Sequence, residues 1–518
     1  MANLIDAIAG AAAAHGSRPA VWAGGDTLSY DELLAFAART ATVLLESGVQ
    51  PGDRVAILTA RSLAAYVGVV ASLRAGCVYV PLNKRHPIAR NRAMLERSGA
   101  TALLVDNESC RRFSDLLREP THALKTVVAL EAATEPRSAS GVTYLDHRTV
   151  SATRPRTAWA DRAAGDDCYL IFTSGSTGEP KGVPISHGNV LAYLGGISEI
   201  APVTHEDRLI QLADLSFDLS GHNMFLALTS GAALYSIPDS ANLLGPRFVS
   251  EHELTGWCSV PSAAALARQA GLLDPGSLPS LRVSHFCGEA LHGAVAEAWA
   301  AAAPNSALYN LYGPTEATIA ISWHRYRSAD ASSVVPIGRP LRGQQMEVFG
   351  ADDQPLPEGE VGELLLSGSQ VARGYWHGSA LDAEKFTTIA GARWYRTGDL
   401  ARRSGADGFH YAGRIDHQTK ILGFRVELLE IERALRAITG RDAVAVIAWP
   451  VTIDGGAQGT VAFVAGPAIT DEEAALAKLR ATLPPYMVPS RLIPVDALPL
   501  NGNGKTDYTA LRQHQALI

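Results

Sequence analysis

One stretch constrains this chain more than any other: Tyr169-Leu-Ile-Phe172 running directly into Thr173-Ser-Gly-Ser-Thr-Gly-Glu-Pro-Lys-Gly182. A short apolar run that reads as a buried strand leads into a loop of glycines, hydroxyls and one lysine. Gly175, Gly178 and Gly182 permit positive φ and close backbone approach. Main-chain N–H groups and the hydroxyls of Thr173, Ser174, Ser176 and Thr177 can then surround the anionic oxygens of a polyphosphate, with Lys181 as countercharge. The spacing is not that of a Walker A loop, which needs Gly-Lys-Ser/Thr, because Lys181 lies between Pro180 and Gly182. A kinase or P-loop ATPase is therefore disfavoured.

A strand that empties into a phosphate loop belongs to an α/β architecture, and the flanking sequence agrees. Ser29-Tyr-Asp-Glu32 is a capping box, and Leu33, Leu34, Ala37, Ala41, Leu44 and Leu45 then mark one helical face that stops at Gly48. Arg54–Leu58 reads as a buried strand, and alternation continues through 63–73, 78–81, 88–98 and 102–105. From about Cys110 to Ala164 the chain is polar and uneven, which predicts a surface connection into the loop. A second strand-and-helix region runs to about Tyr326. Met346-Glu-Val-Phe349, a turn at Ala351–Gln354 and Gly362–Leu366 then predict antiparallel β structure. The expected fold is α/β: a large N-terminal domain, residues 1–413, of two α/β subdomains plus a β-rich subdomain, then a small mobile α+β C-terminal domain, residues 414–518.

Composition narrows the partners. With 47% hydrophobic residues the 518-residue chain can bury large cores, and a net charge of −7 supplies no overall basic field for nucleic acid. No run approaches the roughly 18 apolar residues of a membrane span, and the N-terminus lacks a basic signal-peptide region. The five cysteines, Cys77, Cys110, Cys168, Cys258 and Cys287, form no Cys-x-x-Cys pair and read as reduced thiols. A cytoplasmic monomer that handles small molecules and protein partners is the expectation.

Four further segments join the loop in order: Asn310-Leu-Tyr-Gly-Pro-Thr-Glu316, Tyr395-Arg-Thr-Gly-Asp-Leu400, Gly413-Arg-Ile-Asp-His-Gln-Thr-Lys-Ile-Leu-Gly423 and Asn503-Gly-Lys505. Over nearly its whole length the chain resembles the adenylate-forming superfamily of acyl-CoA synthetases, luciferases and nonribosomal peptide synthetase adenylation domains. The resemblance implies a two-step reaction. A carboxylate attacks the α-phosphate of ATP to give an acyl-adenylate and pyrophosphate, and a thiol then takes the acyl group. Such chemistry calls for preorganised positive charge where charge builds up at phosphorus.

On that resemblance the loop Thr173–Gly178 and Lys181 hold phosphates, Thr315 adds a hydroxyl near the α-phosphate, and Glu316 offers a carboxylate to Mg²⁺. Asn310, Tyr312 and Gly313 belong to the nucleotide site, with Tyr312 as a ring on which adenine stacks. Asp399, helped by Arg414, accepts from the ribose hydroxyls. Lys505 resembles the lysine that binds the substrate carboxylate during adenylation. Asp416 matches the hinge about which the small domain rotates, so that Lys420 and the Gly423 loop face an incoming pantetheine arm.

Phe217-Asp-Leu-Ser220 separates the branches of that superfamily, because amino-acid adenylation domains place an aspartate there to pair with the substrate ammonium. Asp218 therefore implies an amino acid. By the same resemblance the pocket falls on Leu219, His222, Cys258, His285, Cys287, Gly288, Leu311, Ile319 and Ala320. No acid, lysine or arginine stands among these, so a small or medium neutral substrate fits best, although a protonated His222 or His285 would admit an acidic or strongly polar group. Phe286–Glu289 and Trp257–Ser262 look close to free-standing members that load amino acids for natural-product pathways, D-alanine carrier-protein ligases included. Because the sequence stops soon after Lys505, the thiol is expected on a separate phosphopantetheinylated carrier protein. Acyl- or aryl-CoA synthesis is the alternative. The choices of α or β and of L or D amino acid stay open.

Overall fold

The computed structural model describes the 518 residues except 1, 2, 119, 120, 122, 132–140, 175–179, 332, 333, 417, 452–456, 468, 470, 501–505, 515, 516 and 518. The chain divides into two compact units. The larger comprises Met1–Lys84, Arg92–Phe172 and Gly182–Ile415, and the smaller comprises Arg85–Asn91, Thr173–Lys181 and Asp416–Ile518.

Three sheets build the larger unit. The first has seven strands in the order Thr143–Leu145, Thr126–Ala129, Ala102–Val105, Arg54–Leu58, Val78–Pro81, Asp167–Thr173 and Lys181–Ser186. Its inner strands pair in parallel and are rich in Val, Leu, Ile and Ala, as strands covered on both faces must be. The second has nine strands in the order Arg339–Pro340, Ser322–Arg325, Ala307–Tyr312, Val283–Phe286, Gly256–Ser259, Arg208–Gln211, Ala233–Ser236, Pro19–Ala23 and Asp26–Ser29. It is parallel in the middle and antiparallel at both edges. The third is an antiparallel sheet of Gln344–Phe349, Val361–Gly368, Ala392–Ser404, Phe386–Ile389 and Gly408–Arg414, the β-rich region expected from the sequence.

Local signals explain where helices begin. Ser29 and Glu32 form the reciprocal capping box at the head of Tyr30–Glu46. Ser186 and Asn189 do the same for His187–Ile200, whose buried Val190, Tyr193, Leu194 and Ile197 repeat at helical spacing. The helix Leu63–Arg74 is buried from Ala64 to Arg74, and its Tyr66 hydroxyl lies 2.6 Å from Ser236 Oγ on the nine-stranded sheet.

In the smaller unit, Val444–Ala448, Thr460–Ala465 and Leu492–Val495 form a three-stranded sheet beside helices Leu428–Thr439 and Glu472–Arg480. A hairpin of Gln418–Ile421 and Phe424–Glu427 precedes them. Its two-residue turn places Leu422 at φ 51 and Gly423 at φ 84, which matches the twist of a hairpin but strains every residue except glycine, asparagine or aspartate.

Two expectations need correction. The polar stretch from Cys110 to Ala164 is more than a connection: Thr126–Ala129 is a fully buried strand paired on both sides, and Thr143–Leu145 extends the sheet. Its four-residue core was hidden by polar flanks. Gly182 does not use positive φ. It sits in an ordinary strand, where a Cβ would lie 2.9 Å from Leu170 Cδ1 and 3.0 Å from Trp376 Cβ, so close approach alone requires glycine there.

Candidate active site

The strand Ala307–Tyr312 sorts its side chains by simple alternation. Asn310 and Tyr312 share one face, and Tyr309 and Leu311 the other. On the first face, the Tyr312 hydroxyl donates to Asp399 Oδ2 at 2.6 Å, and the Arg414 guanidinium pairs with Asp399 Oδ1. Asp399 and Arg414 face each other across antiparallel strands, and the Arg414 guanidinium also donates to Thr397 O at 3.2 Å. Burial, and then the Asp399 carboxylate, push the Tyr312 hydroxyl well above its usual 10, so it stays a donor. Each Asp399 oxygen keeps a second lone pair for an incoming hydroxyl. Asn310 gives its amide N–H groups to Val335 O and Pro336 O at 3.1 and 2.9 Å. Its buried Oδ1 has no hydrogen-bond partner among the described residues. An orphaned acceptor two residues from Tyr312 suits the exocyclic amine of a nucleobase.

Beyond Tyr312 the chain enters a tight loop. Gly313 is needed because a Cβ there would lie 2.6 Å from Ala320 Cα. Glu316 is fully buried, with its Oε1 accepting from the Tyr375 hydroxyl at 2.7 Å. Thr315 is half-buried. Thr318 and Ile319 both hold positive φ, at 57 and 70, a conformation that costs β-branched residues most. Gln370 restrains them. Its fully buried amide donates to Ala320 O at 2.7 Å and, more weakly, to Thr318 O and Ala317 O at 3.4 Å, while Thr318 Oγ1 donates back to Gln370 O at 2.6 Å.

The other face of the sheet carries the residues expected to line the substrate pocket. Cys258, His285 and Tyr309 stand side by side on three parallel strands, and Cys287 and Leu311 continue the same face one step on. Cys287 Sγ lies 3.8 Å from Ile319 O. Gly288 takes φ 97 where the chain leaves the strand, and a Cβ on Gly221 would meet Ile319 Cδ1 at 3.2 Å. Helix Ser220–Ser230 lays His222 over this floor: its Nε2 is 3.0 Å from His285 Nδ1, and its Nδ1 bonds the Tyr193 hydroxyl. Asp218 and Leu219 are half-buried just ahead of that helix, and the Tyr193 hydroxyl is raised first by its burial and then by Cys258, Cys287 and Asp218. Ala320 is buried beside Ile319. The option of a protonated histidine is disfavoured. Burial holds His285 down to about 3 and His222 well below 6.5, so both are neutral and offer no cation to an acid.

In the smaller unit Lys181 is buried and Thr173 half-buried, with Thr173 Oγ1 unpartnered among the described residues. The Ser174 hydroxyl donates to Arg425 O at 2.8 Å. Lys420 is half-buried opposite Arg425 in the hairpin. Asp416, the first residue of the last segment of that unit, is exposed and accepts from Gln418 N at 3.1 Å. Gly175, Ser176, Thr177, Gly178 and Lys505 lie outside the described residues. Sequence reasoning missed Gln370, Tyr375 and Tyr193. None lies in a recognisable motif, and their roles come from partners roughly 30 to 60 residues away.

No group of three or more His, Cys, Asp or Glu suited to a metal occurs among the described residues. One buried carboxylate, Glu316, fits Mg²⁺, which takes one or two carboxylates and fills its other positions with water and phosphate oxygens.

Residues 8–376 match the AMP-binding enzyme family and residues 430–505 the AMP-binding enzyme C-terminal domain. The L-proline–[L-prolyl-carrier protein] ligase of Streptomyces coelicolor is 34% identical over 96% of this chain and 94% of its own length. Novobiocin biosynthesis protein H of Streptomyces niveus is 33% identical over 96% of this chain and 80% of its own. The crystal structure of the Vibrio cholerae adenylation domain AlmE, in complex with glycyl-adenosine-5′-phosphate, covers 100% of this chain and 98% of its own, with TM-score 0.90 and 35% identity.

Proposed function

The chain belongs to the AMP-binding enzyme family, within the adenylate-forming superfamily, and on that premise we propose that it activates an amino acid and loads it onto a separate carrier protein. In the first step a substrate carboxylate oxygen bonds the α-phosphorus of ATP. The bond to the β-phosphate bridging oxygen breaks and pyrophosphate leaves. In the second, a phosphopantetheine thiolate attacks the acyl carbon of the aminoacyl-AMP, and AMP departs with the electron pair of the broken C–O bond.

The single observation that carries the amino-acid reading is Asp218, a half-buried carboxylate at the edge of a pocket whose floor carries no charge. A carboxylate at that edge is suited to pair with the ammonium of an amino-acid substrate. The nucleotide reading rests on the Tyr312–Asp399–Arg414 cluster, which suits a ribose, and on the free acceptor of Asn310, which suits adenine. Glu316 would hold Mg²⁺, whose contribution is to offset phosphate charge. Thr315, Lys181 and the loop from Thr173 would steady the phosphates, and Lys505 the substrate carboxylate. Rotation about Asp416 would bring Lys420 and Gly423 to the pantetheine arm. We assign the reaction to the cytoplasm, where ATP is supplied. Neither nucleic acid nor membrane is required, and no helix among the described residues is long and apolar enough to cross one. A monomer suffices for the proposed site.

ATP–pyrophosphate exchange over amino acids, fatty acids and aryl acids tests this reading. Exchange confined to amino acids supports it, and exchange confined to fatty or aryl acids overturns it. Mass spectrometry of a phosphopantetheinylated carrier protein after incubation tests the second step.

A further inference from the structure

The smaller unit is assembled from three chain segments that are anchored differently. Arg85–Asn91 and Thr173–Lys181 run back into the larger unit at both ends, whereas Asp416–Ile518 leaves it through the single bond between Ile415 and Asp416. A rotation of the last segment about Asp416 cannot carry the two short segments with it. Contacts that Asp416–Ile518 makes with them therefore break when it turns away and re-form when it returns.

Two such contacts carry polar chemistry. The Ser174 hydroxyl donates to Arg425 O at 2.8 Å, which seats the hairpin bearing Lys420 and Gly423 against the start of the phosphate loop. The other is an ion pair. Arg90 Nη1 lies 2.7 Å from Glu430 Oε1, with side chains 8% and 3% exposed. Arg90 stands in the first turn of helix Ile88–Ser98, the end where the helix dipole disfavours a cation, so it does not serve its own helix there.

This pair is only half satisfied. Arg90 Nε and Glu430 Oε2 have no hydrogen-bond partner among the described residues. The same holds for both nitrogens of His86, four residues before Arg90, which burial pushes down to about 3 and so keeps neutral. Glu432, two residues further along the helix and 1% exposed, is the contrast. Its Oε1 accepts from Val446 N at 3.0 Å and the Tyr508 hydroxyl at 2.9 Å, and its Oε2 pairs with Arg436 at 2.9 Å. A carboxylate buried for good is saturated in this way. The unmet groups beside Glu430 regain water when the pair parts, which offsets much of the lost attraction and lets the contact open.

We propose that Arg90 and Glu430 form a reversible latch. They act as positioning residues for the second half-reaction, holding the hairpin at the phosphate loop while the thiol attacks and parting for adenylation. The inference rests on the two-step reading above and adds to it the groups that hold the transfer arrangement.

The test uses pantetheine as the acceptor thiol and the amino acid most active in pyrophosphate exchange. Enzyme-bound aminoacyl-AMP is formed first, and thioester formation is then followed by mass spectrometry in a single turnover. Glu430→Gln and Arg90→Gln should each slow transfer about tenfold while exchange stays within about twofold of the wild type, which also reports an intact fold. Arg90→Lys keeps the charge and should lose less. Because the two side chains act through one contact, the double variant should be at most about twofold slower than the slower single variant. Equal losses in the two half-reactions, or single effects that multiply in the double variant, overturn the latch. Wild-type exchange without any thioester removes the transfer reading beneath it, and no exchange with any amino acid removes activation itself.

Discussion

Tyr312 donates a 2.6 Å hydrogen bond to Asp399, joining the end of a strand in the nine-stranded sheet to a strand of the antiparallel sheet. With Arg414 on the other carboxylate oxygen, Asp399 is aimed by the protein itself. Tyr312→Phe keeps the ring and deletes the bond. KM for ATP in pyrophosphate exchange should rise about tenfold, the equivalent of roughly 1–1.5 kcal/mol, with kcat little altered. An unchanged KM would remove Asp399 from the sugar site.

Lys505→Ala should slow exchange by on the order of 10²–10³-fold, the usual effect of deleting one preorganised charged donor. ATP binding, followed by calorimetry, should persist. Full exchange in the variant would refute the assigned role.

Gln370→Leu keeps the volume and removes the amide that bonds Ala320 O, Thr318 O and Ala317 O. The strained Thr318–Ile319 backbone then loses its restraint. A stability loss of about 2 kcal/mol is expected in urea unfolding, with KM rising more for the amino acid than for ATP, because Ile319 approaches Gly221 and Cys287 at the pocket. Equal rises in both constants would count against the loop as a pocket wall.

Stability should fall on acidification. His222 and His285 stay neutral in the fold, held well below 6.5 and at about 3, whereas the unfolded chain protonates both below about 6.5. The unfolded state therefore binds more protons between about pH 6.5 and 3, and stability rises with pH across that window. Well below pH 6.5 each histidine contributes a slope of about 1.4 kcal/mol per pH unit. Urea midpoints measured at pH 7.5, 6 and 5 should decline, and His285→Phe should flatten the decline. A variant as steep as the wild type would show that His285 is not buried neutral.

Gly423→Val places a β-branched residue at φ 84 in a two-residue hairpin turn. Transfer to the carrier thiol should slow about tenfold or more beyond any loss in adenylation, whereas Gly423→Asn, which tolerates that φ, should lose less. Single-turnover thioester assays separate the two steps, and equal losses in both would argue against this hairpin serving the thiol.

Much of this was legible without coordinates where the cause is local. The Ser29–Glu32 capping box and the β-rich run from Met346 depend on residues within a few positions of one another. The buried strand Thr126–Ala129 was not, because four residues between polar flanks carry too little periodicity to stand out. The charge of His222 and His285 was left open by the sequence for another reason: desolvation is a property of the packed interior, and nothing in the neighbouring residues announces it.

By itself the sequence determined the groups on offer: a glycine- and hydroxyl-rich loop behind a strand, an aspartate at position 218, and an order of motifs that resembles adenylating enzymes. Tertiary structure alone decided how those groups are used. Pro19–Ala23 pairs with Ala233–Ser236 more than two hundred residues away, and Tyr193, His222 and His285 meet from two helices and a strand. Hydrogen-bond partners and protonation arise only there, since each depends on which distant groups share a water-free space.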